Sequence, residues 1–369
     1  MMNDLLYKIA LSLIDEVGSV TARKLLSYIG DPCEVFKAKE RDLLQVPGIG
    51  TYVAEKILST RDEAIRLAEK ELEFISSKNI EVLYFLDEKY PDKLNHCEDA
   101  PVILYSKGNA GFNHRKILSV VGTREATDYG RKCCRDLIKD LAANHPGLLI
   151  VSGLAYGIDI AAHQAALENK LETVAVLGHG LHMIYPTLHS KAAAEIMEHG
   201  ALLTEFSSSS TNDKSNFARR NRIVAGMADA TVVIESGLKG GSLITADIAM
   251  SYNRDVFAFP GKAGDQHSSG CNWLIKTNKA ALAESFADIE YQLGWQTGKK
   301  KKADPQRALF IELSETEQRI ITLLNSEKLS IDMISIKMDM PVSKISPVLL
   351  ELEFKNLIKN LPGNIYAII

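Results

Sequence analysis

"VSGLAYGIDIAAHQAAL", residues 151–167, runs from β-branched residues through Gly153 and Gly157 into a helical pattern. A strand that turns through glycine straight into a helix leaves the first helical amides pointing outward, where they can meet an anion. Taken alone the turn is weak evidence, because βα turns are often glycine-rich for backbone reasons only. Its neighbours decide the fold. Apolar, β-branched runs at 117–122 (ILSVVG), 148–153 (LLIVSG), 173–178 (TVAVLG), 201–206 (ALLTEF), 230–236 (ATVVIES) and 255–261 (DVFAFPG) each end in a glycine or polar turn, mostly followed by an amphipathic segment. Such runs are nearly continuous in apolar residues, as strands buried on both faces are. The pattern predicts an α/β core, a doubly wound and mostly parallel sheet, whose ligands bind outside the carboxyl ends of the strands.

Two other turns fall on that same edge. In "GLKGGSLITADIAM" (237–250), Lys239, Gly240, Gly241 and Ser242 lie between a strand and a helix, and two glycine turns on one edge favour a shared anion pocket more than either alone. In "VVGTREATDYG" (120–130), Gly122 ends a strand and Arg124 follows directly. A third signal is "KSNFARRNR" (214–222), four cations and no acid, with Phe217 and Asn221 interleaved among Arg219, Arg220 and Arg222. Aromatic and cationic side chains alternating in this way suit unpaired nucleotides, which stack on rings and offer phosphates. The three arginines cannot all face one way, so at least one is expected to pair with a carboxylate.

Bulk properties narrow the class. The 369 residues, 46% hydrophobic, suffice for two or three domains. The net charge of −4 lacks the basic signature of many nucleic-acid binders, and residues 101–295 balance 19 cations against 19 acids. Any polyanion site is therefore local. No apolar run approaches the roughly 18–20 residues of a membrane span, and the first residues carry acids inside their apolar stretch, so a cytoplasmic protein is expected. Cys33, Cys97, Cys133, Cys134 and Cys271 include no C-x-x-C pair and no histidine at ligand spacing, so they read as reduced thiols and no metal site is expected. No catalytic triad or acid–base pair emerges either. His163 reads as a structural histidine on a helix packed against the sheet, and Asp159 as ordering its own turn.

The ends of the chain differ from the core. Residues 1–75 look helical and hold two similar phrases, "LSLIDEVGSVTARKLL" (11–26) and "LLQVPGIGTYVAEKIL" (43–58), a doubled helix-hairpin-helix in which Gly48 and Gly50 allow a tight turn. Such hairpins either hold a DNA phosphate on backbone amides or only pack as a bundle, and the local excess of 13 acids over 10 cations leaves both open. Residues 76–116 lead into the core, which extends to 295. A Lys-rich linker, 296–310, with "KKKK" at 299–302, precedes 311–369, where three helices and two short strands around Pro-Gly read as a winged helix. Its first helix is expected to start at Ser314 with Glu317 closing a capping box. Residues 314–369 carry 6 cations against 7 acids, which argues against strong DNA affinity there.

The set "GTREATDYG", "SGLAYGIDIAAH", "FARRNRIVAG", "GGSLITADIAM" and "VFAFPG", in this order, closely resembles the DNA-processing protein A (DprA, or Smf) family. The resemblance implies a Rossmann-like core that binds single-stranded DNA, protects that strand and loads the RecA recombinase in natural transformation, and a homodimer formed through the core; with no triad, acid–base pair or metal set in the sequence, binding without catalysis and without a cofactor is expected. The strand-end turns and the arginine cluster, which keeps Arg220, Asn221 and Arg222 at the family's positions, predict DNA contact at Gly122, Arg124, Ser152, Gly153, Gly157, Phe217, Arg219, Arg220, Asn221, Arg222, Lys239, Gly240, Gly241 and Ser242, with Arg124, Ser152, Gly153, Arg219, Lys239 and Gly241 around one pocket. One departure is visible: the family usually shows proline after the phenylalanine, and here Ala218 follows Phe217, which puts the stiffness of a loop in doubt. The rival reading is a nucleotide phosphoribohydrolase of the lysine-decarboxylase-like family, which needs a carboxylate after a Gly-Thr turn; "GGSLITADI" offers Thr245 but Ile248 where the glutamate would fall. A dinucleotide oxidoreductase is weaker still, since the first strand lacks G-x-G-x-x-G.

Overall fold

The computed structural model describes residues 2–211, 213–296, 313–355, 357–361 and 364–368. The Lys-rich linker, 296–310, lies outside them beyond Gln296. Two compact units are present, Met1–Trp295 and Gln296–Ile369.

The first unit is built on nine described strands: β1 (Glu81–Tyr84), β2 (Ile103–Gly108), β3 (Ile117–Val121), β4 (Leu149–Ser152), β5 (Thr173–Val176), β6 (Gly200–Thr204), β7 (Ala230–Val233), β8 (Asp255–Ala258) and β9 (Ala281–Leu282). Their order is β1-β2-β6-β5-β4-β3-β7-β8-β9. The strands from β6 across to β9 are parallel, and β2 and β1 add an antiparallel edge. Each of the six runs read from the sequence contains one parallel strand. They are apolar throughout because both faces are covered: Leu118, Val120, Ile150 and Val232 face one helical layer, while Val121, Val151, Val174 and Val233 face the other. Each such side chain contributes about 1.5–3 kcal/mol on burial.

From β3 the chain winds outward through β4, β5 and β6, then returns to β7 on the other side of β3 and winds outward again. The carboxyl ends of β3 and β7 therefore flank the point where the winding reverses, which is where doubly wound sheets open a crevice.

The N-terminal helices are Met2–Leu13, Ser19–Ile29, Pro32–Lys37, Glu40–Leu43 and Thr51–Lys78. Gly18 and Gly50 are the residues before two of them, and Gly48 has φ +88°. Ala22 and Ala54 lie four residues after Gly18 and Gly50, each fully buried, so the repeated phrase marks where small residues let the hairpins pack. This cluster continues onto β1 and β2 through Tyr84, Ile103 and Tyr105.

The second unit is a winged helix: helices Glu315–Ser326, Ile331–Met338 and Val342–Phe354, with β10 (Leu329–Ser330), β11 (Ile358–Leu361) and β12 (Ile365–Ile368) in the order β10-β12-β11. The expected capping box is present, the Ser314 amide donating to Glu317 Oε2 at 2.7 Å and the Glu317 amide to Ser314 Oγ at 3.3 Å. Pro362 and Gly363 lie outside the described residues. Among those residues no helix is long and apolar enough to cross a membrane.

Candidate nucleic-acid interface

A cleft of about 450 Å³ opens at the reversal point. The turn after β3 lines it with Gly122, Thr123 and Arg124, the start of the helix Gly241–Ser251 with Gly240, Gly241 and Ser242, and the helix Lys214–Met227 with Lys214, Phe217, Arg220 and Asn221. No side chain caps the helix Gly241–Ser251, so its first turn presents partial positive charge to the cleft.

Arg124 is exposed, with its guanidinium 6.0 Å from the Phe217 ring centroid. The turn that carries it is fixed from behind by Glu235, two residues after the end of β7. The Glu235 carbonyl accepts from the Thr123 amide at 2.7 Å, and its carboxylate accepts from the Thr127 amide at 2.8 Å and the Thr127 hydroxyl at 2.6 Å. Glu235 carries no signal in a strand-end reading, because its partners lie over a hundred residues away.

The basic run is a helix, and its four cations divide by their position on it. Lys214 is exposed at the cleft. Arg222 is buried, its Nη2 donating to Glu205 Oε2 at 2.5 Å and its Nη1 to the Asp99 carbonyl, which fulfils the expectation of a carboxylate partner. Arg220 is buried as well: it backs the cleft while Nη1 donates to the carbonyls of Gly153, at 2.5 Å, and Val176. Burial pulls Arg220 down to about 10, so it stays cationic at neutral pH. Arg219 lies over the Phe206 ring at 5.3 Å and 3.5 Å from Glu205, beside the cleft rather than in it. Helical geometry also removes the concern over Ala218. It is the fifth residue of the helix, where proline would cost a backbone bond, so no loop needs stiffening.

The expected ring of Arg124, Ser152, Gly153, Arg219, Lys239 and Gly241 around one pocket is corrected. Of these six, only Arg124 and Gly241 line the cleft. Ser152 is buried and donates to the Val120 carbonyl at 2.7 Å. Gly153 makes room for Arg220, since a Cβ there would stand 2.1 Å from its Nη1. Gly157, at φ +77°, brings its turn against that of Arg124, where a Cβ would meet the Thr123 carbonyl at 2.1 Å. Gly122 packs under Ile158. Lys239 is exposed beyond the lining.

Two aromatic residues are absent from the contact residues read from the sequence. Tyr185, 44% exposed, sits 5.7 Å from the Phe217 ring, and Tyr156, 42% exposed, packs edge-on to His189 at 5.0 Å. Tyr156 lies inside the quoted "GLAYGID" and is legible there as an aromatic in a glycine turn; Tyr185 comes close only through the fold.

Asp159 orders its own turn as expected, its carboxylate accepting from the amides of Gly153 at 3.2 Å and Ala155 at 3.4 Å. Burial raises its pKa and the Arg220 charge opposes that rise. His163 is fully buried with Nδ1 2.7 Å from Thr173 Oγ1. Burial, with the Arg220 charge second, pushes it down to about 3. Its unfolded value is about 6.5, so between those limits the unfolded chain binds the extra proton, and stability present above pH ~6.5 is lost as pH falls. His163→Asn is expected to lose about 2 kcal/mol less than the parent between pH 7 and pH 5, at roughly 1.4 kcal/mol per pH unit. Urea unfolding at both pH values checks this, and equal losses would remove His163 from the acid response. Ile248, where a hydrolase glutamate would stand, packs against the core.

Residues 81–294 match the family model described as DNA recombination-mediator protein A, more than half of the chain. The chain belongs to this family, DprA/Smf. Residues 9–62 match a SAM-like helix-hairpin-helix tandem and 302–364 a DprA winged helix domain. Protein Smf of Escherichia coli is 33% identical over 87% of this chain and 85% of its own length. The DNA processing protein DprA of Streptococcus pneumoniae is 41% identical over 55% of this chain and 71% of its own. The X-ray structure of the pneumococcal DprA matches with a TM-score of 0.67 and 33% identity, covering 78% of this chain and 97% of that one. A structure of the Helicobacter pylori DprA, solved for its single-stranded DNA binding mode, matches with a TM-score of 0.53 and 29% identity over 60% of this chain and 98% of that one.

Proposed function

We propose that this DprA/Smf chain binds single-stranded DNA in the cleft between β3 and β7. The observation that carries the reading is the convergence of Arg124, Lys214, the ring of Phe217 and an uncapped helix start on one open cleft. Cations and helix amides suit phosphates, and the ring suits unpaired bases, which a duplex keeps stacked inside. The single-stranded DNA binding of the Helicobacter pylori relative supports the same ligand. Arg220 and Arg222, in this reading, hold the frame, while Arg219 and Lys239 add charge at the rim.

Binding is the whole activity proposed for the cleft, with no cofactor. Of the two carboxylates lining it, Asp159 is buried and held by the amides of Gly153 and Ala155, which leaves it a poor base for hydrolysis, and Glu125 is exposed to solvent. Protection of the strand, loading of RecA during transformation, and a homodimer through the core extend the proposal by family membership. A cytosolic setting suits the five free cysteines.

The test is fluorescence anisotropy with single- and double-stranded oligonucleotides between about 50 and 200 mM salt, with released base assayed in the same tube. The single strand binds more tightly and its affinity falls steeply with salt; equal duplex affinity or released base refutes the reading. A chain ending at Gly298 keeps its affinity within about tenfold, or 1.4 kcal/mol, because the winged helix is net acidic. Abolished binding with normal circular dichroism and mass would move the site to the C-terminal unit.

A further inference from the structure

A second groove of about 350 Å³ lies between the helices Asp128–Asn144 and Ile158–Glu168, and Arg124 lines both it and the cleft. Its other walls carry Arg131, Arg135, Tyr156 and Gln164, and Glu168 stands at its rim. Resting on the single-stranded DNA reading, we propose that the groove is a phosphate track which takes the nucleotides flanking those held in the cleft. Arg124 is the junction between the two.

Several independent features favour a strand over a merely solvated helix face. Arg131 and Arg135 are four residues apart on one helix, so they share a face about 6 Å apart along its axis. Both are exposed. Arg131 has only Asp128 at 3.7 Å, an exposed i,i+3 pair, and exposed pairs contribute about 0–1 kcal/mol, so it is readily exchanged for a phosphate. Arg135 forms no ion pair among the described residues. Tyr156 lines the same groove, held in a T-shaped ring contact with His189 at 5.0 Å while 42% of it remains exposed, as a stacking platform requires. Gly157 lets its turn close against the one that carries Arg124, since a Cβ there would stand 2.1 Å from the Thr123 carbonyl. Glu168 repels phosphate and gives the track an end.

The experiment compares the full chain with Arg131→Ala/Arg135→Ala on two oligothymidylates, of about five and about fifteen residues, spanning the range of single-strand footprints. The variant is expected to bind the short strand within about twofold of the parent and the long strand about tenfold more weakly. Its salt slope on the long strand falls by about 1.4, at about 0.7 for each phosphate that a single strand no longer has neutralised. Tyr156→Ala weakens the long strand alone. If the variant leaves long-strand affinity and slope unchanged while Arg124→Ala weakens both strands, the track is refuted and the cleft stands. An equal loss on both lengths also refutes a separate track, since the arginines would then act through the general field. If the parent binds neither strand, the cleft reading fails and the track with it. Circular dichroism of each variant separates weakened binding from loss of fold.

Discussion

Arg124→Ala/Lys214→Ala lowers affinity for single-stranded DNA by at least about a hundredfold at moderate salt, while the protein stays folded. Both side chains are exposed and line the cleft, one on the turn after β3 and one at the start of the helix Lys214–Met227. Charge-assisted hydrogen bonds contribute roughly 1.5–3 kcal/mol each, and a factor of ten corresponds to about 1.4 kcal/mol. Their removal costs little stability, since neither closes a buried pair. Arg219→Ala is the milder comparison: its guanidinium already lies 3.5 Å from the Glu205 carboxylate and outside the cleft. Anisotropy titration at fixed salt, with thermal unfolding in parallel, measures both quantities. A double variant that binds within about threefold of the parent, under 1 kcal/mol, would exclude this cleft as the DNA site.

Arg222→Ala is expected to lose about 3–5 kcal/mol of stability, because removing one partner of a buried ion pair strands the other charge. Glu205 is that other charge. Its Oε2 accepts from Arg222, and from the mostly exposed Arg219 only at 3.5 Å, while its Oε1 has no hydrogen-bond partner among the described residues, and burial raises its pKa with the Arg222 charge opposing the rise. Without the bond to the Asp99 carbonyl, the segment before β2 is also looser against the helix. Against a total stability of about 5–15 kcal/mol, this is a large fraction. Arg222→Met/Glu205→Met should recover much of the loss, since an apolar pair of similar volume needs no desolvation repaid. Urea unfolding of the three proteins tests the account, and a loss below about 1 kcal/mol for Arg222→Ala would show that the pair is not holding the frame.

The contrast between Lys214 and Arg222 shows what is local in this chain and what is not. A run of four cations without an acid announces a helix face or loop of high charge, and the steric limit on three arginines within four residues requires that one turn inward. Which of them turn inward depends on Glu205, seventeen residues before Arg222, and on the Gly153 and Val176 carbonyls that hold Arg220, all outside the helix that carries the run, so no spacing within the run can reveal it. The edge strands behave similarly. β9 has two residues, β1 is buried at only two of its four positions, and β2 pairs with β6 across a long excursion of the chain, so local patterning shows them only as a lead-in or not at all.

The sequence by itself determined the parallel core, the glycine turns on one edge, the helical start and the winged-helix end. These follow from burial on both strand faces, backbone sterics at glycine and helical periodicity, all of which act over a few residues. Only the tertiary structure decided that the winding reverses between β3 and β7, that Arg124, Lys214 and Phe217 meet there, and that Gly153, Ser152, Arg220 and Arg222 lie behind the surface. Those outcomes come from packing and charge pairing between segments far apart in the chain, where a side chain's environment is made by residues that its own neighbours do not encode.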